Sequence, residues 1–317
     1  MVTKSFSSPP KPIGPTKGTL KVSHRSRIAS RLSRGYGVFL LPSAAISVLL
    51  VALPLGGLMV LSVLRWNPSE QAAPSFAGLT NFIHMVSDGV FWGSLTTTLL
   101  FVVETVALQM VLGFGIALLF NRSWLGVSFL RALVLTPMMI APIFAGMIWR
   151  LMLSPDYGIV KYLLSLVRVD SPPLWLSDSG VALQAIVIAN TWQWTPFVVL
   201  FATAGLQVIP QDVYEAASLD GANRFTTLRH IVLPLLRPVL LVILLFRCID
   251  SFKVFDVIYT MTGGGPGSST QTLSYSVYLQ TVRYFDLGYS STLALVVLGV
   301  IMLSSWLLLR VSTQVEQ

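Results

Sequence analysis

The chain has 317 residues, of which 54% are hydrophobic and 11% charged, and its formal net charge is +8. An ordinary soluble domain carries roughly 25% charged residues, so the composition excludes the soluble globular classes and points to an integral membrane protein. The single cysteine, Cys248, excludes an intrachain disulfide and a cysteine-based metal cluster; it lies in an apolar run, where a buried inert thiol is the expected state.

Residues 1–37 hold Lys4, Lys11, Lys17, Lys21, Arg25, Arg27, Arg31 and Arg34 with no acidic residue. These charges equal the whole net charge, because the remaining 13 basic residues balance 13 acidic ones. Pro, Ser, Thr and Gly surround them, as in Ser7-Ser-Pro-Pro-Lys-Pro12, which predicts a disordered cytoplasmic tail in contact with anionic membrane lipid. A basic arm can also bind nucleic acid. Here Lys and Arg beside a span follow the positive-inside rule, and no nucleic-acid partner is expected. The first apolar run is longer than a signal core of about 7–15 residues and no small-residue cleavage site follows it, so a cleaved signal peptide is not expected.

Six apolar runs follow, at about Val38–Leu64, Leu95–Phe120, Leu130–Leu153, Ala182–Leu206, Leu235–Met261 and Thr292–Leu309. Each reaches the roughly 17–25 residues that cross a bilayer as a helix. Pro42, Pro54, Pro137, Pro142 and Pro196 interrupt them, which neighbouring helices can tolerate. The predicted fold is therefore all-α and integral to the membrane, with six transmembrane helices in one domain over residues 38–310 and both termini cytoplasmic. On that count the loops around Arg122 and Arg131, and the Glu215–Pro234 stretch, face the cytoplasm. The loops with Glu70 and Asp88, Asp156 and Asp170, and Arg283 and Asp286 face outward, although Lys161 and Arg168 weaken the bias in one of them.

The polar stretch of residues 207–234 reads as helix, sharp turn, helix. Pro210 can open a helix, where its missing N–H is an orphan anyway. Asp212 and Glu215 suit the positive end of the dipole. Gly221 is a natural stop in the left-handed conformation. A second helix is predicted from about Asn223 to Val232, ended by Pro234. Ala216 and Ala217 keep one side thin, so that a backbone surface can approach another closely. On composition alone, an amphipathic loop folded back on its own bundle reads the same way.

The spacing adds to this. Glu215-Ala-Ala-Ser-Leu-Asp-Gly221, followed after nine residues by Ile231-Val-Leu-Pro234, resembles the cytoplasmic coupling loop of ABC importer membrane subunits. The resemblance implies a loop that docks in a cleft of an ATPase, with coupling roles for Glu215, Ala216, Ala217, Asp220, Gly221, Ile231, Leu233 and Pro234. One departure is visible: relatives often carry an aromatic residue three before the isoleucine, whereas this chain has Leu228 there and Phe225 one turn earlier.

From about Val38 onward the chain resembles a carbohydrate-importer permease of the maltose and glycerol-phosphate type, a type I ABC importer permease with cytoplasmic coupling helices. Phe76-Ala-Gly-Leu-Thr-Asn-Phe82, Leu135-Thr-Pro-Met-Met-Ile-Ala-Pro142 with Trp149, Trp192-Gln-Trp-Thr-Pro-Phe197, Ala204-Gly-Leu-Gln-Val-Ile-Pro210, Asp250-Ser-Phe-Lys-Val-Phe-Asp256 and Thr262-Gly-Gly-Gly-Pro266 carry it, in order along nearly the whole chain. The resemblance implies a bacterial or archaeal plasma membrane, a second permease subunit forming a heterodimer, a dimeric ABC ATPase and an extracytoplasmic solute-binding protein.

Arg247, Asp250, Lys253 and Asp256 repeat every third residue through the fifth run. Uncompensated, each costs about 2.5–3.5 kcal/mol near a membrane helix centre. Three residues turn a helix by roughly 300°, so the series spirals and cannot face one pore. It serves either as a ladder pinning this helix to its neighbours, with Glu104 as a candidate partner for Arg247 or Lys253, or in transport. The resemblance places the outer half of this helix and the Gly263-Gly-Gly-Pro266 turn beside the translocation path. Lys253, Phe255, Asp256 and Tyr259 supply the aromatic faces and hydrogen-bonding groups that hold sugars, and are the path candidates.

No G-x-x-x-x-G-K-[ST] loop is present, so the chain should not bind ATP itself. His24, His84 and His230 form neither a metal cluster nor a nucleophile triad, and no cofactor or catalytic residue is expected. An ion-coupled secondary transporter would explain the intramembrane charges but not the coupling loop, and no inverted repeat is evident. A membrane enzyme would need a convergent catalytic cluster. Within ABC permeases, amino acids or phosphate esters are the alternative solutes.

Overall fold

In the computed structural model the described residues are 23–121, 124–167 and 173–313. Most of the basic tail, to Val22, lies outside them, as do Arg122, Arg168 and Asp170, on which part of the charge-based orientation rests. The chain divides into two compact units, Met1–Gly56 and Gly57–Gln317. The first is helical from Ser23, in a helix α1 whose bounds are Ser23–Ser62 and which contains Pro42 and Pro54. The larger unit takes in the end of α1 and then the two-residue strands β1 (Leu64–Arg65) and β2 (Ser75–Phe76), paired antiparallel. It continues through α2 (Thr80–Ser87), α3 (Gly89–Phe120), α4 (Val127–Leu135), α5 (Pro142–Met152), α6 (Ile159–Leu166) and α7 (Ala182–Val208). Two short helices, α8 (Gln211–Leu219) and α9 (Arg224–Thr227), lead to α10 (Leu233–Phe252), α11 (Asp256–Met261), α12 (Leu273–Tyr278) and α13 (Leu287–Thr313).

Among the described residues, five helical stretches are long and apolar enough to cross a membrane: Pro42–Ser62, Gly89–Phe120, Ala182–Val208, Arg224–Phe252 and Leu287–Arg310. The third expected span is not one rod. Val127–Met139 and Pro142–Met152 meet at 99°, so the sixth crossing is a broken span or a re-entrant pair. The reason is local. Pro142 lacks an N–H and drives the residue before it out of the α region, and Ala141 is extended at φ −60°, ψ 136°. The carbonyl freed at Ile140 is met by the side-chain amide of Gln193 at 2.9 Å, as a break inside a bundle requires.

The fifth span also ends earlier than expected. The helix stops at Phe252, with Lys253 as its cap, and a new short helix starts at Asp256. Hydroxyls from the following segment satisfy the end: Ser274 donates to the Phe252 carbonyl at 3.1 Å and Thr272 to that of Val254 at 3.4 Å. Arg247 and Asp250 are thus on α10, Lys253 is in the break, and Asp256 sits at the positive end of α11. The single spiral of four charges is corrected to a pair on α10, a lysine in the break and an aspartate in the first turn of α11.

The core lies where α3, α7 and α10 meet. Phe101, Ile186, Ile258 and Met261 are wholly buried together on one side, and Ala117, Val198, Leu206, Leu236 and Ile243 on the other. A methyl group on Gly113 of α3 would stand 2.5 Å from the Val198 Cβ of α7. Small residues that let backbones approach are how helices associate when lipid is as apolar as leucine.

Candidate functional site

The loop between α7 and α10 builds its turn from a set of carbonyl bonds that the sequence makes unavoidable. Pro210 is the residue before α8 rather than its first member, extended at ψ 143°. At the other end the Ala222 N–H donates to the Ala217 carbonyl at 3.0 Å and the Gly221 N–H to that of Ser218 at 3.2 Å. Gly221 has φ +76°. Together these form a Schellman stop, in which the residue after the cap is left-handed. The chain then reverses, and Asn223 caps α9 by accepting from the Thr226 N–H at 2.8 Å.

The second loop helix does not end at Pro234. A π turn over Leu228–Val232 joins α9 to α10 without a stop, and Pro234 lies in the first turn of α10. The Leu233 N–H reaches back five residues to Leu228. Widening the helix just before the proline makes room for its ring and absorbs the missing donor.

The loop has two faces. Ala217 and Val232 are buried, and Tyr214 and Leu228 pack on the same cluster as Leu206 and Leu236. Burial pushes the Tyr214 phenol up from its usual range, while the Asn121 side chain beside it acts in the opposite direction. The other face is open: Glu215, Ala216, Asp220, Gly221 and Pro234 are exposed, and Ile231 and Leu233 are half-buried. Leu219 is 87% and Phe225 68% exposed, one on each side of the turn. Leu228 therefore packs on the inner side while Phe225 presents its ring outward. The shape is a short α8 ridge with apolar ends, held to the bundle from below.

A second site lies in the bundle. A cleft of about 140 Å³ is lined by residues including Asn190, Trp194, Arg247, Asp250, Lys253, Phe255 and Asp256. Its floor is Arg247, 2% exposed. The guanidinium donates to Gln109 Oε1 at 2.8 Å and to Asp250 Oδ2 at 2.9 Å, and it lies 4.8 Å from the Trp194 ring centroid. Gln109 in turn donates to Asn190 Oδ1 at 3.1 Å. A buried cation is stable only with such partners. Arg247 pairs with Asp250, not with Glu104, because α10 delivers Asp250 one turn away on its own surface.

Of the four path candidates, the fold brings Lys253, Phe255 and Asp256 into this cleft. Tyr259 is beside it, stacked on Phe255 with centroids 5.4 Å apart. Gln109, Asn190, Trp194, Tyr275 and Tyr278 were not among the candidates. Gln109 and Asn190 had a legible signal, since a polar side chain within an apolar run needs a partner. The two tyrosines had none, because they approach Phe255 only through the turn that follows α11.

Residues 109–317 match the family described as binding-protein-dependent transport system inner membrane component. The trehalose/maltose transport system permease protein MalF of Thermococcus litoralis is 41% identical over 254 residues, which is 80% of this chain and 84% of that protein. The trehalose transport system permease protein SugA of Mycobacterium tuberculosis is 32% identical over 287 residues, or 90% and 91% of the two chains. Among solved structures, a chain of a bacterial ABC transporter that imports the acidic polysaccharide alginate superimposes with a TM-score of 0.79. It covers 92% of this chain and 100% of its own at 19% identity, a likeness of fold, and it bears out the importer-permease architecture.

Proposed function

This chain belongs to the family of inner membrane components of binding-protein-dependent transport systems, and from that premise we propose that it carries a sugar, oligosaccharide or polyol as half of an ATP-driven import path. It is a permease subunit and not an enzyme; in this family ATP hydrolysis resides on a separate subunit. The observation that carries the coupling role is the α8 ridge: a Schellman turn at Gly221, with exposed Leu219 and Phe225 around it, anchored from beneath by Tyr214, Leu228 and Val232. Glu215, Ala216, Ala217, Asp220, Gly221, Ile231, Leu233 and Pro234 form or support the surface that seats in a dimeric ATPase.

Sugar as the solute is supported by relatives named for trehalose and maltose, which cover most of both chains. The cleft agrees in kind, with two aromatic rings beside two carboxylates, an ammonium and an amide that can serve as hydroxyl partners. At about 140 Å³ it is well below the roughly 300 Å³ of a complete small-molecule site. A second permease closes it from the opposite side, making a heterodimer, and a solute-binding protein delivers from outside. Residues 1–37 are a cytoplasmic tail, 38–310 the permease domain and 207–234 its coupling loop, with both termini in the cytoplasm.

The test is uptake by the complete complex in vesicles, together with binding by the cognate extracytoplasmic protein, against maltose, trehalose, a polyol and glycerol phosphate. Sugar or polyol uptake only with binding protein and ATP is the expected result. Uptake of glycerol phosphate alone overturns the sugar assignment, and sugar uptake by the isolated chain overturns the importer assignment.

A further inference from the structure

Four aromatic rings gather at the outer end of the fifth span, and the polar cleft accounts for only one of them. Phe255 stacks on Tyr259 at 5.4 Å and on Tyr275 at 6.1 Å, with interplanar angles of 22° and 25°. Tyr278 completes the group at 5.0 Å from Phe255 and 5.5 Å from Tyr259. Tyr275 is buried and forms the back of the cluster, Phe255 and Tyr278 are partly covered, and Tyr259 is 44% exposed at its front. A lipid-facing aromatic belt would present separate rings outward. Here the rings face one another, and one of them, Phe255, also lines the cleft.

The cluster is held from behind by the glycine turn. Gly264 has φ +84°, and a methyl group there would stand 2.7 Å from Cε1 of Tyr275. Only glycine lets the turn lie against that ring. The same turn is fastened by Thr270, whose hydroxyl donates to the Gly265 carbonyl at 2.8 Å, and by the Thr262–Thr270 hydroxyl contact at 2.8 Å. A rigid backbone therefore presets the aromatic face.

We propose that Tyr259, Tyr278 and Phe255 form a stacking platform for the apolar face of a sugar ring, a subsite that receives the solute before it reaches the polar cleft through Phe255. An aromatic face and a pyranose C–H face bury apolar area without needing directed hydrogen bonds, which suits a site that must bind and release. The inference rests on the reading of the chain as a sugar permease and names the chemistry of its outer site.

The experiment uses the complete importer in vesicles, with radiolabelled maltose or trehalose, whichever the cognate binding protein retains. Tyr259→Ala and Tyr278→Ala are compared with Tyr259→Phe and Tyr278→Phe, at equal levels of assembled complex. The alanine variants should lower sugar transported per ATP hydrolysed by roughly two- to tenfold, the size of one aromatic contact. The phenylalanine variants should stay near wild type, and ATPase stimulation by loaded binding protein should stay within about twofold in all four. Unchanged transport in the alanine variants overturns the platform. Equal loss in phenylalanine and alanine variants overturns it as well, because stacking does not need the hydroxyl. A parallel fall in ATPase stimulation assigns these rings to docking instead and overturns it. A wild-type complex that carries no ring sugar at all would first refute the sugar reading, an outcome separate from these three.

Discussion

Gly221 is the residue where a single side chain should separate folding from coupling. Its φ is +76°, and no atom lies within 4 Å of where a Cβ would stand. Substitution therefore meets no clash, only the backbone cost of roughly 1–2 kcal/mol for most residues in the left-handed region. Asn and Asp tolerate that region better than other side chains. Gly221→Asp should reach normal membrane levels yet lose about tenfold or more in sugar uptake, because its charge falls on the docking ridge, while the near-isosteric Gly221→Asn should keep most of its uptake. Uptake normalised to assembled complex decides it. Equal activity of both variants would remove that charge effect from the coupling argument. Glu215→Lys should act in the same direction but more weakly, because an exposed pair is worth little.

Arg247 is the opposite kind of residue, buried and fully engaged with Gln109, Asp250 and Trp194. Arg247→Ala leaves the buried Gln109 and the half-exposed Asp250 without their cation, a loss of about 1–3 kcal/mol, below that of a fully buried pair. It should show as a lower thermal midpoint and yield of the detergent-solubilised complex. Adding Asp250→Asn should restore part of that stability by neutralising the stranded carboxylate. No recovery in the double variant would mean that Asp250 is not the partner that matters.

Between elements, α3 and α7 approach closely in the core. Gly113 faces Val198 at a distance that admits no Cβ, while Gly115, two residues on, has nothing within 4 Å. Gly113→Val should overpack the interface by roughly 1–3 kcal/mol. Gly115→Ala should be neutral or stabilise by roughly 0.4–1 kcal/mol, since an exposed helical glycine is entropically expensive. Thermal stability of the two variants in the same detergent tests this pair, and equal shifts would show that helix propensity, not packing, governs both. The broken third span and the π turn before Pro234 belong to this scale as well. In each, a proline removes one donor and a neighbouring group or a wider turn takes up the slack.

At the scale of the whole molecule, the polar cleft among α5, α7, α10 and α11 is small, and a path shared with a second subunit is the expectation. The chain should purify with a second permease and two ATPase copies, and those partners should be required for ATP-driven uptake; quantitative gel densitometry of the tagged complex measures the ratio. Removing residues 1–30 should leave uptake largely intact, because Arg31 and Arg34 still precede the first span and keep the positive-inside bias. Complete loss in a correctly inserted, assembled truncation would assign the tail a specific role.

Hydrophobic run length and the resemblance carried by Glu215 to Pro234 were enough to identify a helical membrane permease, and the turn inside that loop was legible because its signals are local. Runs of apolar residues follow from bilayer thickness, and a glycine stop followed by an Asn cap follows from backbone conformation alone. Where helices would break was less legible. Leu130–Leu153 reads as one span interrupted at Pro137 and Pro142, and Leu235–Met261 as a continuous one; the structure divides both, at places where distant groups such as Gln193, Thr272 and Ser274 meet the freed carbonyls. Partnership was hidden for the same reason. Arg247 meets Gln109 from α3 and Trp194 from α7, and Phe255 meets Tyr275 and Tyr278 across the glycine turn. Contacts over such separations depend on which helix faces pack together, and in a chain that is apolar almost throughout, hydrophobic pattern does not distinguish one face from another.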